Sequence, residues 1–141
     1  MLLLRIVLCA CLVLMESCGG LPSESTPLTL KQQIESSRII KFLSEQYSDV
    51  GLVQILNSIP VVLITKSYAV MRSKNENILG FNHEGDYIAL LDTLSPWLFC
   101  HTLTHEYLHT VLESTVGDSD HNHKQFPWAL PNECCKNVEA Q

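Results

Sequence analysis

His105, Glu106 and His109 stand at the spacing His-Glu-x-x-His. On an α-helix, residues four apart share one face and lie about 6 Å apart along the axis, so two imidazoles can bind one ion at about 2.0–2.1 Å. Glu106 is turned by roughly 100° from His105, which suits a carboxylate that takes a proton from a metal-activated water. With six histidines in 141 residues, chance predicts the pattern only about 0.02 times. We therefore predict a Zn²⁺ site with His105 and His109 as ligands and Glu106 as the catalytic base.

A third protein ligand is needed, because a hydrolytic zinc site has three protein ligands and one position for water. The polar segment after the predicted motif helix holds His121 and His123. We predict His121 as the third ligand, because Asp118 and Asp120 flank it and one carboxylate can accept its second ring proton. His123 is the alternative, since residues two apart in extended chain point to the same side.

The elements that must position this motif follow from local signals. Thr29 followed by Gln32 predicts a capping box, and apolar residues then recur at helical spacing. Ser95 and Pro96 are typical of the start of a helix and Gly117 of its end, so the motif lies inside one long helix. The predicted elements are helix 30–47, a short helix within 50–58, strand 61–65, hairpin strands 78–82 and 86–92, and helix 96–116.

The motif helix, with a hairpin before it, resembles the zincin metallopeptidases. The resemblance implies an α+β fold in which a small, mostly antiparallel sheet packs on a long active-site helix, and it implies hydrolysis of peptide bonds. It also implies that strand 86–92 lines the cleft and pairs with an extended peptide. The metzincin subfamily is excluded, because Leu112 and Thr115 stand where it has Gly and His. A gluzincin would use Glu133, which follows Pro131 in a poorly helical segment. The acidic segment after the helix is similar to that of small exported bacterial zincin-like proteins.

The amino-terminal residues predict export. Residues 1–18 are typical of a signal peptide, with one positive charge at Arg5 before an apolar stretch too short to span a bilayer. The segment resembles a bacterial lipoprotein precursor in which Cys18 carries the lipid. Residues 19–28 form a polar tether, and residues 29–141 form the zincin-like metallopeptidase domain. We expect a protein of the cell envelope whose membrane contact is a lipid anchor at Cys18.

Three cysteines lie in the predicted domain. An oxidising compartment allows Cys100 to pair with Cys134 or Cys135, and the sequence leaves both pairings open.

Composition limits the remaining function classes. The net charge is −6, and the nine Lys and Arg residues are scattered, which argues against nucleic-acid binding. The predicted partner is a peptide or protein substrate. The alternative is a non-catalytic zinc-binding envelope protein that uses the same histidines. Glu106 favours the enzyme, because a closed structural zinc site needs no general base.

Overall fold

The computed structural model describes residues 20–139, so the predicted signal segment and Cys18 lie outside the described residues. The described chain is α+β, with five helices and a four-stranded sheet. The strands are β1 (Thr26–Pro27), β2 (Val61–Ile64), β3 (Gly80–His83) and β4 (Tyr87–Leu91). The helices are α1 (Leu30–Gln46), α2 (Gly51–Asn57), α3 (Lys66–Ser73), α4 (Pro96–Val116) and α5 (Ala129–Cys135).

The two long helices begin and end where the sequence predicts. At the start of α1, the Thr29 side chain accepts a hydrogen bond from the backbone N–H of Gln32, and the Gln32 side chain accepts one from the backbone N–H of Thr29. Helix α4 begins after Ser95, whose hydroxyl accepts from the Leu98 N–H, and it ends at Gly117 in the left-handed conformation (φ 72°). The His-Glu-x-x-His motif therefore lies in the middle of a 21-residue helix.

The sheet has the strand order β1-β2-β4-β3 and is mixed. Strand β4 pairs parallel with β2 and antiparallel with β3, and β1 pairs antiparallel with β2. The expected mostly antiparallel sheet thus holds one parallel pair, because the chain passes through α3 and β3 between β2 and β4. Strand β4 lies inside the sheet and β3 lies at its edge. The prediction that strand 86–92 pairs with an extended peptide is wrong, since both edges of β4 are already paired within the sheet.

The core lies on both faces of the sheet. On β4, Ile88 and Leu90 pack in the larger core with α1, α2, α4 and α5, whereas Tyr87, Ala89 and Leu91 pack on the opposite face near α3. Alternate residues of a strand point to opposite faces, so β4 is buried on both sides. Within residues 20–139, no helix has the length and apolar character needed to cross a membrane.

Helix α5 lies in a segment that we expected to be irregular. Pro131 is its third residue, and a proline is tolerated in the first turn because the N–H groups there have no partner within the helix. Helix α5 packs against α4 and brings the carboxyl-terminal cysteines to the motif helix.

Candidate metal centre

Three imidazoles converge at one side of α4. His105 and His109 lie one turn apart on the helix, and their Nε2 atoms are 3.2 Å apart. His123 comes from the loop after the helix, and its Nε2 lies 3.1 Å from Nε2 of His105. Among the described residues, these three histidines form a group whose possible ligand atoms all lie within 4.8 Å of one another.

The His109 ring is oriented by the loop that follows the helix. Its Nδ1 lies 2.7 Å from the backbone carbonyl oxygen of Ser119. A carbonyl oxygen only accepts hydrogen bonds, so Nδ1 carries the proton and Nε2 presents a lone pair to the other two histidines. This tautomer is the one that a metal ligand at Nε2 requires.

The same loop is held by two carboxylates. Asp118 accepts a hydrogen bond from the backbone N–H of Asp120 at 2.8 Å, and Asp120 accepts from the N–H groups of Lys124 at 2.8 Å and Gln125 at 2.9 Å. We expected one of these carboxylates to accept a proton from the His121 ring. Their hydrogen bonds instead go to the backbone on both sides of His123, so they fix the turn that carries this residue.

The other predicted ligands lie outside the three-histidine group. The His121 ring is exposed and lies 4.8 Å from the ring of His109. Glu133 is an exposed residue of α5 and forms an ion pair with Lys136. The structure thus brings His123, which was the alternative, beside the two motif histidines.

Glu106 is buried beside this group, with 7% of its surface exposed. Burial raises the pKa of its carboxyl group to about 7, and a hydrogen bond from the backbone of Asn82 opposes the rise. The Asn82 side chain also donates to the Glu106 carbonyl oxygen at 3.0 Å and to Thr110 Oγ1 at 2.9 Å. Strand β3 is therefore tied to α4 at the residue that carries the carboxylate.

His105 is kept neutral by its surroundings. Burial, together with the neighbouring His109, His123 and His101, lowers its pKa to about 3. The ring of Phe126 lies 4.4 Å from the His105 ring, and the ring of Trp128 lies 5.4 Å from it. A neutral imidazole is the form that binds a metal ion.

These groups line one cleft of about 430 Å³. Its walls include residues 78–82 at and before β3, the motif residues, and the two loop histidines. No local pattern marks Asn82, Ser119 or Trp128 as site residues, because their roles depend on contacts between segments distant in the chain. Glu106 and the three converging nitrogens thus share one solvent-accessible site.

The cysteine prediction is confirmed and made specific. Cys100 on α4 is bonded to Cys135 on α5, and Cys134 is a buried free thiol.

Comparison of the chain with protein-family models, curated proteins and solved structures finds no match in any of the three.

Proposed function

We propose that the chain is a zinc-dependent peptidase whose metal ligands are His105, His109 and His123. The spacing of the three imidazole nitrogens carries the proposal. Ligand nitrogens at about 2.0–2.1 Å from a tetrahedral zinc ion lie about 3.3 Å from one another. The two Nε2 separations of 3.2 Å and 3.1 Å match this value. His123 replaces His121 as the favoured third ligand for this reason.

The neutral state of the histidines supports a cation at this point. Three nitrogen lone pairs directed at one small volume repel one another unless a proton or a cation lies between them. Burial and the mutual proximity of the rings oppose protonation of His105, so a metal cation satisfies the group better than a proton does. A zinc ion held there supplies Lewis acidity, polarising a carbonyl group and lowering the pKa of an attacking water.

Glu106 is the proposed general base. It accepts a proton from the attacking water while the water oxygen bonds to the scissile carbonyl carbon, and it donates that proton to the amine nitrogen as the C–N bond breaks. A carboxyl group whose pKa is raised to about 7 can take and return a proton near neutral pH. Its place on the helix, next to His105, directs it into the same cleft.

The edge of β3 suits an extended peptide. The Leu91 N–H donates to the Leu79 carbonyl oxygen, and hydrogen-bonded pairs alternate with open pairs in an antiparallel ladder. The main-chain groups of Gly80 and Asn82 therefore point away from β4. The Asn82 N–H meets the Glu106 carboxylate, so the Gly80 groups are left to pair with a substrate main chain. An edge strand above a motif helix also supports the zincin-like fold.

Export to the cell envelope and lipid attachment at Cys18 stay part of the proposal as predictions. Both depend on residues 1–18, which lie outside the described residues. The Cys100–Cys135 disulfide is compatible with an oxidising compartment.

Glu106→Gln tests the mechanism. The amide keeps the shape of the side chain and cannot accept the proton, so the variant should keep its zinc, measured by elemental analysis, and lose cleavage of a peptide library. A variant with full cleavage activity refutes the role of Glu106. Wild-type protein that holds zinc and cleaves nothing in the library indicates the non-catalytic zinc-binding alternative.

The third ligand is tested by a matched pair of alanine variants. His123→Ala should lower zinc affinity by orders of magnitude, because it removes one of three protein ligands and leaves only the two helical histidines. His121→Ala should change affinity little, because this exposed ring lies outside the group. Competition with a chromogenic chelator measures both affinities, and the opposite ranking returns the role to His121.

A further inference from the structure

A second cluster of metal-binding atoms lies away from the histidines. The sulfurs of Cys100, Cys134 and Cys135 all lie within 4.8 Å of one another, and all three residues are buried. Cys100 belongs to α4, and the other two are consecutive residues at the end of α5. In the oxidised chain Cys100 and Cys135 form the disulfide, which leaves the Cys134 thiol beside the bridge.

A cation from α1 completes the cluster. The Nη2 atom of Arg38 lies 3.3 Å from Sγ of Cys100 and 3.8 Å from Sγ of Cys134. Its Nη1 atom donates to the Cys134 carbonyl oxygen at 2.9 Å. The Thr104 hydroxyl lies 3.8 Å from Sγ of Cys135. Burial raises the pKa of the Cys134 thiol, and the Arg38 guanidinium and the Thr104 hydroxyl oppose that rise by favouring the thiolate.

We propose that, once the disulfide is reduced, the three sulfurs bind one soft divalent cation of the zinc or cadmium class. A dithiol supplies the two electrons: the S–S bond breaks, Cys100 and Cys135 become thiols, and the dithiol becomes its own disulfide. Binding then replaces the protons of the three thiols with the metal ion, and those protons pass to solvent.

Distances and charge both favour this ligand class. Sulfurs at about 2.3 Å from a tetrahedral ion lie about 3.8 Å apart, which falls inside the 4.8 Å limit of the cluster. Only the bonded pair must separate on reduction. Three thiolates and one divalent ion carry a net charge of −1, and they lie beside the Arg38 guanidinium, which also forms an ion pair with Glu35 at 2.6 Å. Soft thiolates select zinc, cadmium or Cu(I) over hard cations, and a monovalent ion would leave a second buried negative charge.

The proposed site serves the same mechanical purpose as the disulfide. In either state the sulfurs tie the end of α5 to α4 at Cys100. Cys100 lies five residues before His105, which is about one and a half turns of the helix. Trp128, at the start of α5, contacts the His105 ring. A bound metal would therefore keep Trp128 in position beside His105 under reducing conditions.

The test uses the full chain with Cys9, Cys11 and Cys18 replaced by serine, so that the three described cysteines supply all the thiols. The protein is reduced with a dithiol, freed of reductant without oxygen, and titrated with Cd²⁺. We expect an ultraviolet sulfur-to-cadmium charge-transfer band that saturates at about one equivalent per chain. The urea midpoint of the reduced His123→Ala protein, whose histidine group has lost a ligand, should rise when the ion is added, because the ion binds the folded chain at the sulfurs.

Four variants make the test specific. Cys134→Ala keeps the disulfide in the oxidised chain and should lose the saturating band after reduction. Arg38→Gln should weaken cadmium binding by about 10–100-fold, as loss of an outer partner does at metal sites, and Arg38→Lys should restore part of it. His123→Ala should leave the band unchanged. The proposal is overturned if the reduced chain gives no band, if Cys134→Ala binds cadmium equally well, or if binding leaves the urea midpoint unchanged.

Discussion

Gly80→Ala should destabilise the protein because β3 approaches its neighbours too closely for a side chain. A Cβ atom at Gly80 would lie 2.6 Å from Leu90 Cδ2, 2.9 Å from the Ala89 carbonyl oxygen and 3.0 Å from Thr102 Cγ2. Leu90 is fully buried and the Ala89 oxygen belongs to the backbone of β4, so neither can move freely. The strand itself must shift away from β4 and α4.

The size of the effect follows from two opposing terms. Overpacking a tight site costs typically about 1–3 kcal/mol, and replacing glycine stabilises by about 0.4–1 kcal/mol through the unfolded chain. We expect a net loss of about 1–2 kcal/mol in the free energy of unfolding. Urea denaturation followed by circular dichroism measures it as a lower midpoint with an unchanged slope.

Gly51→Ala is the matched control. A Cβ atom there meets only the Asp49 side chain, at 3.0 Å from Oδ1, and the residue begins α2 on the surface. This substitution should be neutral or stabilising by up to about 1 kcal/mol. Gly80→Ala should also reduce peptide cleavage more than zinc content, since β3 contacts Glu106 and supplies none of the three histidines. A Gly80→Ala protein as stable as the wild type would refute the described packing of β3.

Three further outcomes are expected. Reducing the Cys100–Cys135 bridge, which closes a sequence separation of 35 residues, should lower the free energy of unfolding by about 4 kcal/mol in the chain-entropy description, as urea curves with and without reductant will show. In metal-free protein, the free energy of unfolding should fall as pH drops below about 6.5. His105 binds a proton there in the unfolded chain but stays neutral in the folded one, where its pKa is about 3. Glu106 acts in the opposite direction: its raised pKa (about 7) stabilises the folded protein at low pH, and this contribution is lost as pH rises from about 4.5 to 7. Glu106→Gln lacks this contribution, so it should lose more stability than wild type as pH falls from 7 to 5 in urea titrations with chelator. Asp120→Ala should weaken zinc binding by about 10–100-fold in chelator competition, because the turn carrying a ligand loses two hydrogen bonds.

Local signals in the sequence determined the two long helices and the motif between their caps. The capping box at Thr29, the Ser95-Pro96 start and the Gly117 end each act over three or four residues. The spacing of His105 and His109 on one helix face is a property of the helix alone. Helix α3 was missed because it has only eight residues and its N-cap, Thr65, is also the last residue of the predicted strand 61–65.

Which histidine joins the motif pair was decided by tertiary structure. The loop after α4 has no periodicity, and both Asp120 (φ 51°) and His123 (φ 52°) adopt the left-handed conformation that extended-chain reasoning excludes. The turn held by Asp120 directs His123 to His105 and leaves His121 exposed. Spacing along the chain could not rank the two residues.

The sheet order and the disulfide partner also depended on long-range packing. The parallel pairing of β2 with β4 places β3 at the edge beside the cleft, and strand pairing between distant segments has no local sequence signal. Cys134 and Cys135 are neighbours in the chain, but about 100° of helical rotation separates their side chains. The rotation of α5 against α4 turns Cys135 to Cys100. The sequence therefore determined the groups capable of chemistry, and packing between segments decided which of them meet.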